Sequence, residues 1–472
     1  MCLELRSGSR HSSVRSDGAS HDRPSRRSSS PPTSIALRYD AAEGPSPMTS
    51  VSRCAVVLAA VVVAVLVAAP SARAADPPRW IGTWTASAQP VWDTDFFPGI
   101  KFPRTLWNQT IRQVARVSIG GSRVRVVLSN EYGNRPVTIG AAHAALSDGG
   151  AKIAAGSDRV LTFGGLKTVV IPPGAPVVSD PVDLSLAPLA SVAVSLYLPD
   201  ATPLTTWHND ARQTAFLVSG DKTAEVEIKP DDRPVAHAFL TEILVDAPAT
   251  ARAIVTFGDS ITDGDCSTID ANRRWPDVLA ERLVKAGGSP VAVLNQGISG
   301  AKILADRMGG NALARFDRDV LAQPHVDTVI VMIGINDIGW AGAKLLSPND
   351  PPASIERIIA GYRQLIDRAH IHGIKVIGAT LTPFEDAFKG AFDPLADFYS
   401  PAKEKVRQAV NKWIREHRGF DAIIDFDALV RDAKRPARLQ SAFGCADHLH
   451  PSDAGYKAMA ESIDLKLLGV GR

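Results

Sequence analysis

The chain has 472 residues, of which 45% are hydrophobic and 22% charged, a composition that predicts folded domains with ample cores. Its 52 Lys and Arg residues nearly balance 50 Asp and Glu residues, for a net charge of +2. This balance excludes a strongly basic nucleic-acid-binding protein and an acidic disordered chain. The 4 Cys residues are too few for a disulfide scaffold, and none shows the Cys-x-x-Cys spacing of a metal site.

The first 74 residues predict an export signal behind a polar extension. Residues 1–47 are rich in Ser, Arg and Pro and are expected to be disordered. Residues 48–74 combine Arg53, an apolar run and the sequence Ala-Arg-Ala, which is typical of a cleaved secretory signal peptide. We therefore expect a secreted, extracellular protein that has no membrane attachment after cleavage. An uncleaved anchor is the alternative, although a spanning helix needs about 20 apolar residues, and both Met1 and Met48 stay open as the start.

Residues 75–248 alternate apolar and polar side chains in short runs. The segment 192–198 is one such run, and turn residues such as Gly120-Gly121 separate the runs. This pattern predicts an antiparallel β-sandwich domain. Tryptophans are concentrated here, either exposed to stack on sugar rings or, as we favour, buried in the sandwich core; they are Trp80, Trp84, Trp92, Trp107 and Trp207.

Residues 249–472 predict a second domain of a different class. Apolar, β-branched runs alternate with stretches of helical spacing, which is typical of a parallel sheet covered by helices on both faces. The predicted strands are 253–257, 291–295, 328–333, 374–381 and 422–426. One predicted helix follows Ile355 and stops before Gly373, and another begins with Ser400 as N-cap and Pro401 at its first position.

Polar loops follow the first three predicted strands, where sites form in parallel α/β sheets. They contain Ser260, Gly297 and Asn336, and a fourth segment near the chain end contains Asp447 and His450. A serine hydroxyl needs an imidazole to take its proton and a carboxylate to orient that imidazole. Together these residue types predict acyl transfer, with Ser260 as nucleophile, His450 as base and Asp447 as its orienting acid.

The oxyanion formed during acyl transfer needs preorganised hydrogen-bond donors. Suitable donors are the backbone amides of Ser260 and Gly297 and the side-chain amide of Asn336. Because His450 must be neutral to accept the proton, we expect kcat/KM to rise through about pH 6 to 7.

Four sequence blocks resemble those of the GDSL esterases, the SGNH hydrolase superfamily. They are FGDSITDG (257–264), NQGISG (295–300), IGINDIG (333–339) and DHLHPSDAGY (447–456). The resemblance implies a three-layer α/β/α fold similar to flavodoxin and the same roles for the residues named above. The segments 80–90 and 123–137 are similar to the β-rich N-terminal part of secreted bacterial members, a subgroup resembling acyl and aryl esterases found with xylan-degrading enzymes.

Other polar residues of these blocks have simpler explanations. His448 competes with His450 as base but is expected to be structural, and Asp259, Asp263 and Asp337 are expected to cap turns and helices. A calcium loop beginning at Asp263 is excluded by its sequence, because Thr268 and Arg274 replace the required Gly and Glu. We predict no metal and no cofactor.

Cys266 lies shortly after Ser260, and Cys445 lies shortly before Asp447. A fold that brings Ser260 and Asp447 together therefore also brings the two cysteines together. In an oxidising compartment a disulfide is expected, with two free buried thiols as the alternative.

We expect a serine esterase whose substrate is a small-molecule or polysaccharide ester, with no nucleic-acid partner. A polysaccharide-binding protein with an inactive hydrolase domain is one alternative, and a thioesterase or peptidase of the same mechanism is another. The sequence does not determine acyl length, the alcohol or the oligomeric state.

Overall fold

The computed structural model describes residues 79–94, 96, 99–416 and 419–471. The expected disordered extension (1–47) and signal peptide (48–74) lie outside these residues. The described residues belong to one structural unit, Ala74–Arg472. Among the described helices, none has the length and apolar character needed to cross a membrane.

The N-terminal region consists of short strands joined by turns, as its alternating pattern predicts. In chain order they are β1 (Arg79–Thr85), β2 (Gln89–Pro90), β3 (Thr105–Leu106), β4 (Gln109–Arg116), β5 (Gly121–Ser129), β6 (Val137–Ile139), β7 (Ala141–Leu146), β8 (Arg159–Val160), β9 (Val169–Ile171), β10 (Pro176–Val178), β11 (Val182–Leu186), β12 (Ser191–Leu198), β13 (Thr202–Pro203), β14 (Thr206–Asn209), β15 (Ala215–Ser219), β16 (Ala236–Ala238) and β17 (Leu240–Ala247).

Two five-stranded antiparallel sheets dominate this region. One has the order β1–β17–β5–β10, with β11 also paired to β5, and the other has the order β15–β4–β12–β7–β8. Alternate side chains of the two sheets, such as Val124 and Val126 of β5 and Val194 and Leu196 of β12, are buried in one hydrophobic cluster. The predicted antiparallel sandwich is therefore confirmed.

The tryptophans of this region mostly lie in the core, as favoured. Trp84, Trp92 and Trp207 are buried, and the ring of Trp92 packs edge-on against that of Trp207. Trp107 departs from this expectation, because it is 70% exposed.

The second region has a five-stranded parallel sheet with the order β19–β18–β20–β21–β22. These strands are β18 (Arg252–Gly258), β19 (Val291–Gly297), β20 (Val326–Met332), β21 (Lys375–Ala379) and β22 (Ala422–Ile424). All five predicted strands are thus confirmed, with ends shifted by up to two residues.

Helices cover both faces of this sheet. They are α1 (Ser260–Asp263), α2 (Trp275–Ala286), α3 (Ala312–Phe316), a π-helix (Asp317–Leu321), α4 (Ile335–Gly339), α5 (Ile355–Ile371), a 3-10 helix (Asp393–Phe398), α6 (Pro401–Glu416), α7 (Phe426–Val430), α8 (Asp453–Ser462) and a second 3-10 helix (Leu465–Leu468). On β18, Ile254 joins one hydrophobic cluster with α2 and α8, whereas Val255 and Phe257 join another with α5 and α6. This alternation produces the expected three-layer α/β/α arrangement.

Strand β19 lies at the edge of the parallel sheet, and the N-terminal region covers it. Val293 N donates to Ser118 Oγ over 3.1 Å, and Thr85 Oγ1 donates to Asn295 O over 2.9 Å. These bonds use backbone groups that an edge strand would otherwise leave open.

Candidate active site

Ser260 lies at a sharp turn from strand β18 into helix α1. The side chain of Asp259 caps this helix by accepting from Ile261 N over 3.1 Å. Gly258 allows the tight turn, because a Cβ on it would lie 2.2 Å from Thr262 Oγ1. Burial raises the pKa of Asp259 to about 7, although the bond from Ile261 opposes this shift. Asp259 is thus the helix cap that the sequence predicts.

The chain end brings an imidazole and a carboxylate to this serine. His450 Nε2 lies 2.8 Å from Ser260 Oγ, and His450 Nδ1 lies 2.6 Å from Asp447 Oδ2. Asp447 Oδ1 also accepts from the backbone amides of Leu449 and His450, over 3.0 and 2.9 Å. The structure therefore brings together the three side chains that the sequence analysis selected.

The charges of this group are strongly coupled. Burial lowers the pKa of His450, but the negative charge of Asp447 and its hydrogen bond outweigh burial and raise that pKa to about 9. Burial has the opposite effect on Asp447 and raises its pKa, but the charge and hydrogen bonds of His450 outweigh burial and lower that pKa to about 2. The pair therefore favours an imidazolium beside a carboxylate in the free enzyme.

His448, the competing imidazole, faces a different partner. Both of its ring nitrogens lie within 3.3 Å of Arg438 Nη2. The expected structural role of His448 fits this position.

A disulfide joins Cys266 to Cys445, as predicted. It connects the segment after α1 with the segment that carries Asp447 and His450. The two halves of the site are therefore held by a covalent bond as well as by the Ser260–His450 contact.

The predicted oxyanion donors differ in whether their N–H groups already donate hydrogen bonds within the protein. The side-chain oxygen of Asn336 accepts from Trp340 Nε1 over 3.0 Å, and its amide nitrogen donates to Ala301 O over 3.1 Å. These bonds orient the amide and leave its second proton for another acceptor. The amide of Ser260 lies in the first turn of α1, where helical amides have no intrahelical partner.

Gly297 is the least open of these donors. Its amide already donates to Asn295 Oδ1 over 2.9 Å. A Cβ on Gly297 would lie 2.3 Å from Asp263 N, so the absence of a side chain serves the contact between β19 and α1. Gly300, in the same loop, directly precedes Ala301, whose carbonyl holds Asn336.

Asp337 and Asp263 have structural roles, as expected, although they hold the loop after β19 where capping of turns and helices was predicted. Asp337 accepts from Ile303 N and Leu304 N over 2.8 and 3.1 Å, and burial raises its pKa to about 6. Asp263 Oδ2 accepts from Ser299 N over 3.0 Å.

Two contacts were not predictable from the motifs. Asp265 Oδ2 lies 3.7 Å from His450 Nε2, the nitrogen that faces Ser260. Buried Arg315 donates to Gly258 O and Gln296 O, each over 2.8 Å, and so clamps the ends of β18 and β19. Neither residue belongs to a spaced motif, and only their place in the fold reveals these contacts.

This geometry is suited to acyl transfer. A hydroxyl in contact with an imidazole, which in turn contacts a carboxylate, can lose its proton as it attacks a carbonyl carbon. The free proton of the Asn336 amide and the backbone amide of Ser260, the first residue of α1, can stabilise the resulting oxyanion.

Comparison with known proteins gives one family match. Residues 254–463 match the model described as GDSL-like Lipase/Acylhydrolase. No curated protein matches the chain.

Three of the solved structures that are similar to this chain each match 46% of it. They include a variant of an acetyl xylan esterase from Geobacillus stearothermophilus, with 23% identity, coverage of 46% of this chain and 95% of the other, and a TM-score of 0.35. A GDSL-like lipase from Bacteroides thetaiotaomicron has 18% identity, covers 46% of this chain with 88% of its own, and has a TM-score of 0.34. A carbohydrate acetylesterase family member from Sinorhizobium meliloti has 17% identity, covers 46% of this chain with 97% of its own, and has a TM-score of 0.34.

The family match spans β18 to α8, and thus every residue of the site described above. The chain therefore carries a GDSL-like lipase/acylhydrolase domain at residues 254–463 and is a carboxylic ester hydrolase.

Proposed function

We propose that the chain is a secreted serine esterase that works through a Ser260–His450–Asp447 triad and an acyl-enzyme. The observation that carries this proposal is the continuous hydrogen-bonded chain from Ser260 Oγ through His450 to Asp447. The disulfide between Cys266 and Cys445 supports export, because such bonds persist in oxidising compartments.

In the first half-reaction, Ser260 Oγ attacks the ester carbonyl while its proton moves to His450 Nε2. The tetrahedral intermediate collapses, the bond to the alcohol oxygen breaks, and His450 returns the proton to the departing alcohol. In the second half-reaction water attacks the acyl-enzyme, with His450 again taking a proton, and the acid leaves as Ser260 recovers its proton. Asn336 donates to the oxyanion in both steps. The backbone amide of Ser260 and the backbone amide of either Gly297 or Gly300 donate to it as well.

For substrate we propose short acyl esters, including acetylated plant polysaccharide. The support is the similarity of the N-terminal motifs to esterases found with xylan-degrading enzymes. A panel of p-nitrophenyl esters from acetyl to palmitoyl, run beside acetylated xylan, measures both acyl length and polymer preference. Turnover confined to long acyl chains would contradict this substrate class.

The nucleophile is tested by Ser260→Ala. We expect kcat for p-nitrophenyl acetate to fall by roughly 10⁵- to 10⁶-fold, because no other group forms the acyl-enzyme. The melting temperature should stay near that of the wild type, since only one hydroxyl is removed. The matched control is Ser289→Ala, which changes an exposed serine before the start of β19, at the opposite end of that strand from Gly297. Retained turnover in folded Ser260→Ala would end the proposal.

A further inference from the structure

A buried histidine from the N-terminal region contacts helix α1, which begins with Ser260. His208 of β14 has its Nδ1 at 2.9 Å from Ser87 O and its Nε2 at 3.0 Å from Asp263 Oδ1. The side chain of His208 is 5% exposed and that of Asp263 is 1% exposed. The pair is thus an enclosed contact between the sandwich and the hydrolase domain.

Both ring nitrogens of His208 face acceptors. A backbone carbonyl such as Ser87 O only accepts, so Nδ1 carries a proton, and an ionised Asp263 requires a second proton on Nε2. Burial lowers the pKa of His208, but the charge of Asp263 and the hydrogen bonds outweigh it and raise the pKa overall. The geometry therefore favours an imidazolium paired with a carboxylate.

Asp263 also contacts the loop after β19. Its second carboxylate oxygen accepts from Ser299 N over 3.0 Å and lies 3.2 Å from Ser299 Oγ. Ser299 directly precedes Gly300 and Ala301, and Ala301 O holds the Asn336 amide. His208, Asp263 and Ser299 thus form one connected path from the sandwich to the oxyanion side of the site.

Ser87 links the sandwich to the site by a second path. Its hydroxyl donates to Asp319 Oδ2 over 2.6 Å, and the same oxygen lies 2.7 Å from Arg315 Nη1. Arg315 in turn holds Gly258 O, at the end of the strand before Ser260. The segment around Ser87 therefore supports both ends of the nucleophile turn.

We propose that His208 is a positioning residue for the hydrolase site, acting through Asp263 on helix α1 and on the loop that carries Ser299. This inference rests on the proposed function and adds that the N-terminal region completes the site. Without the contact to Nε2, a buried Asp263 oxygen loses its partner, and α1 and the loop are free to shift relative to His450. A displacement of about 1 Å at such a site can cost roughly 100-fold in rate.

Two substitutions separate the contacts of the ring. In His208→Asn the amide nitrogen occupies the place of Nδ1, so it keeps Ser87 O and loses Asp263. In His208→Gln the amide reaches the place of Nε2 and can still donate to Asp263. We expect kcat to fall by about 10- to 100-fold in His208→Asn with little change in KM, and to recover most of the wild-type value in His208→Gln. The rate at which a serine-directed phosphonate labels Ser260 should follow kcat.

The control removes a similar histidine–aspartate contact within the sandwich, between residues that take no part in the path described above. His143 of β7 lies 2.9 Å from Asp158 Oδ2, and His143→Ala should leave kcat and the labelling rate unchanged. All variants are compared at equal folded fraction by circular dichroism and thermal melting. If His208→Asn does not fold, Asp263→Ala makes the same test, because it removes the carboxylate that links His208 Nε2 to Ser299.

The possible failures are distinguishable. A wild-type protein without Ser260-dependent hydrolysis would overturn the proposed function and this inference with it. Normal kcat and labelling in folded His208→Asn would overturn the inference alone. Equal losses in His208→Asn and His208→Gln would also overturn it, since the effect would then come from ring packing and not from the Asp263 contact.

Discussion

At the scale of single residues, the protonation of His450 controls the proposed reaction. The charge of Asp447 outweighs burial and raises the pKa of His450 to about 9. Below that pH the imidazole is protonated and cannot accept the proton of Ser260. We therefore expect kcat/KM to rise with pH up to about 9, which is more alkaline than the range of about 6 to 7 expected from an ordinary histidine. Initial rates from pH 5 to 10 in a chemistry-limited assay measure this limb.

Asp447→Asn is the matched variant for this pH dependence. Removing the charge should move the rising limb to lower pH and reduce kcat by about 10⁴-fold, because the amide no longer orients the imidazole for proton transfer. A wild-type profile that is flat from pH 5 to 9, or a limb that stays in place in Asp447→Asn, would contradict the assigned pKa cause.

The residues that the sequence predicts share one property. Ser260, Asn336 and His450 lie in short motifs, and the first two lie two and four residues after the ends of apolar strands whose carboxyl ends meet in a parallel sheet. His208 and Asp265 contact the same site, but neither their residue type nor their spacing marks them. Their partners come from pairing between distant segments, which a single sequence does not specify.

At the scale of elements, the contact between α1 and β19 sets the shape of the site. Asn295 donates to Thr262 O and accepts from Gly297 N, each over 2.9 Å, so its side chain ties the strand end to the helix. The strands of this sheet were predictable because buried parallel strands read as continuous apolar runs. The closeness of α1 and β19 was not, because it depends on backbone geometry at Gly297.

Gly297→Ala tests this contact. The added Cβ would lie 2.3 Å from Asp263 N, so either the helix or the strand end must move. We expect a loss of about 1–3 kcal/mol in the free energy of unfolding, measured in urea, together with a lower kcat. Gly310→Ala is the matched control, because its Cβ would meet nothing nearer than Tyr132 Oη at 3.6 Å. Wild-type stability and kcat in Gly297→Ala would show that the contact is not tight.

At the scale of the whole molecule, the sandwich and the hydrolase domain share buried surface. One hydrophobic cluster contains Ile81 and Trp84 of the N-terminal region together with Leu294 and Phe316 of the second region. The change of hydrophobic period near residue 248 predicts a boundary between two domains. It does not reveal how much buried surface the two domains share. Apolar spacing reports which face of an element is buried, whereas the partner of that face is set by the tertiary fold.

The Cys266–Cys445 disulfide closes a loop across 179 positions of sequence, between the nucleophile segment and the base segment. In the chain-entropy model a bond over so long a loop stabilises the folded state by up to about 5 kcal/mol, because it restricts the unfolded chain. We expect Cys266→Ser/Cys445→Ser to lose a large part of this free energy of unfolding in urea. Reduction of the wild type should give the same loss, and reduction of the double variant none. If both cysteines of unfolded, unreduced wild type react with a maleimide, the bond does not form and this prediction is wrong.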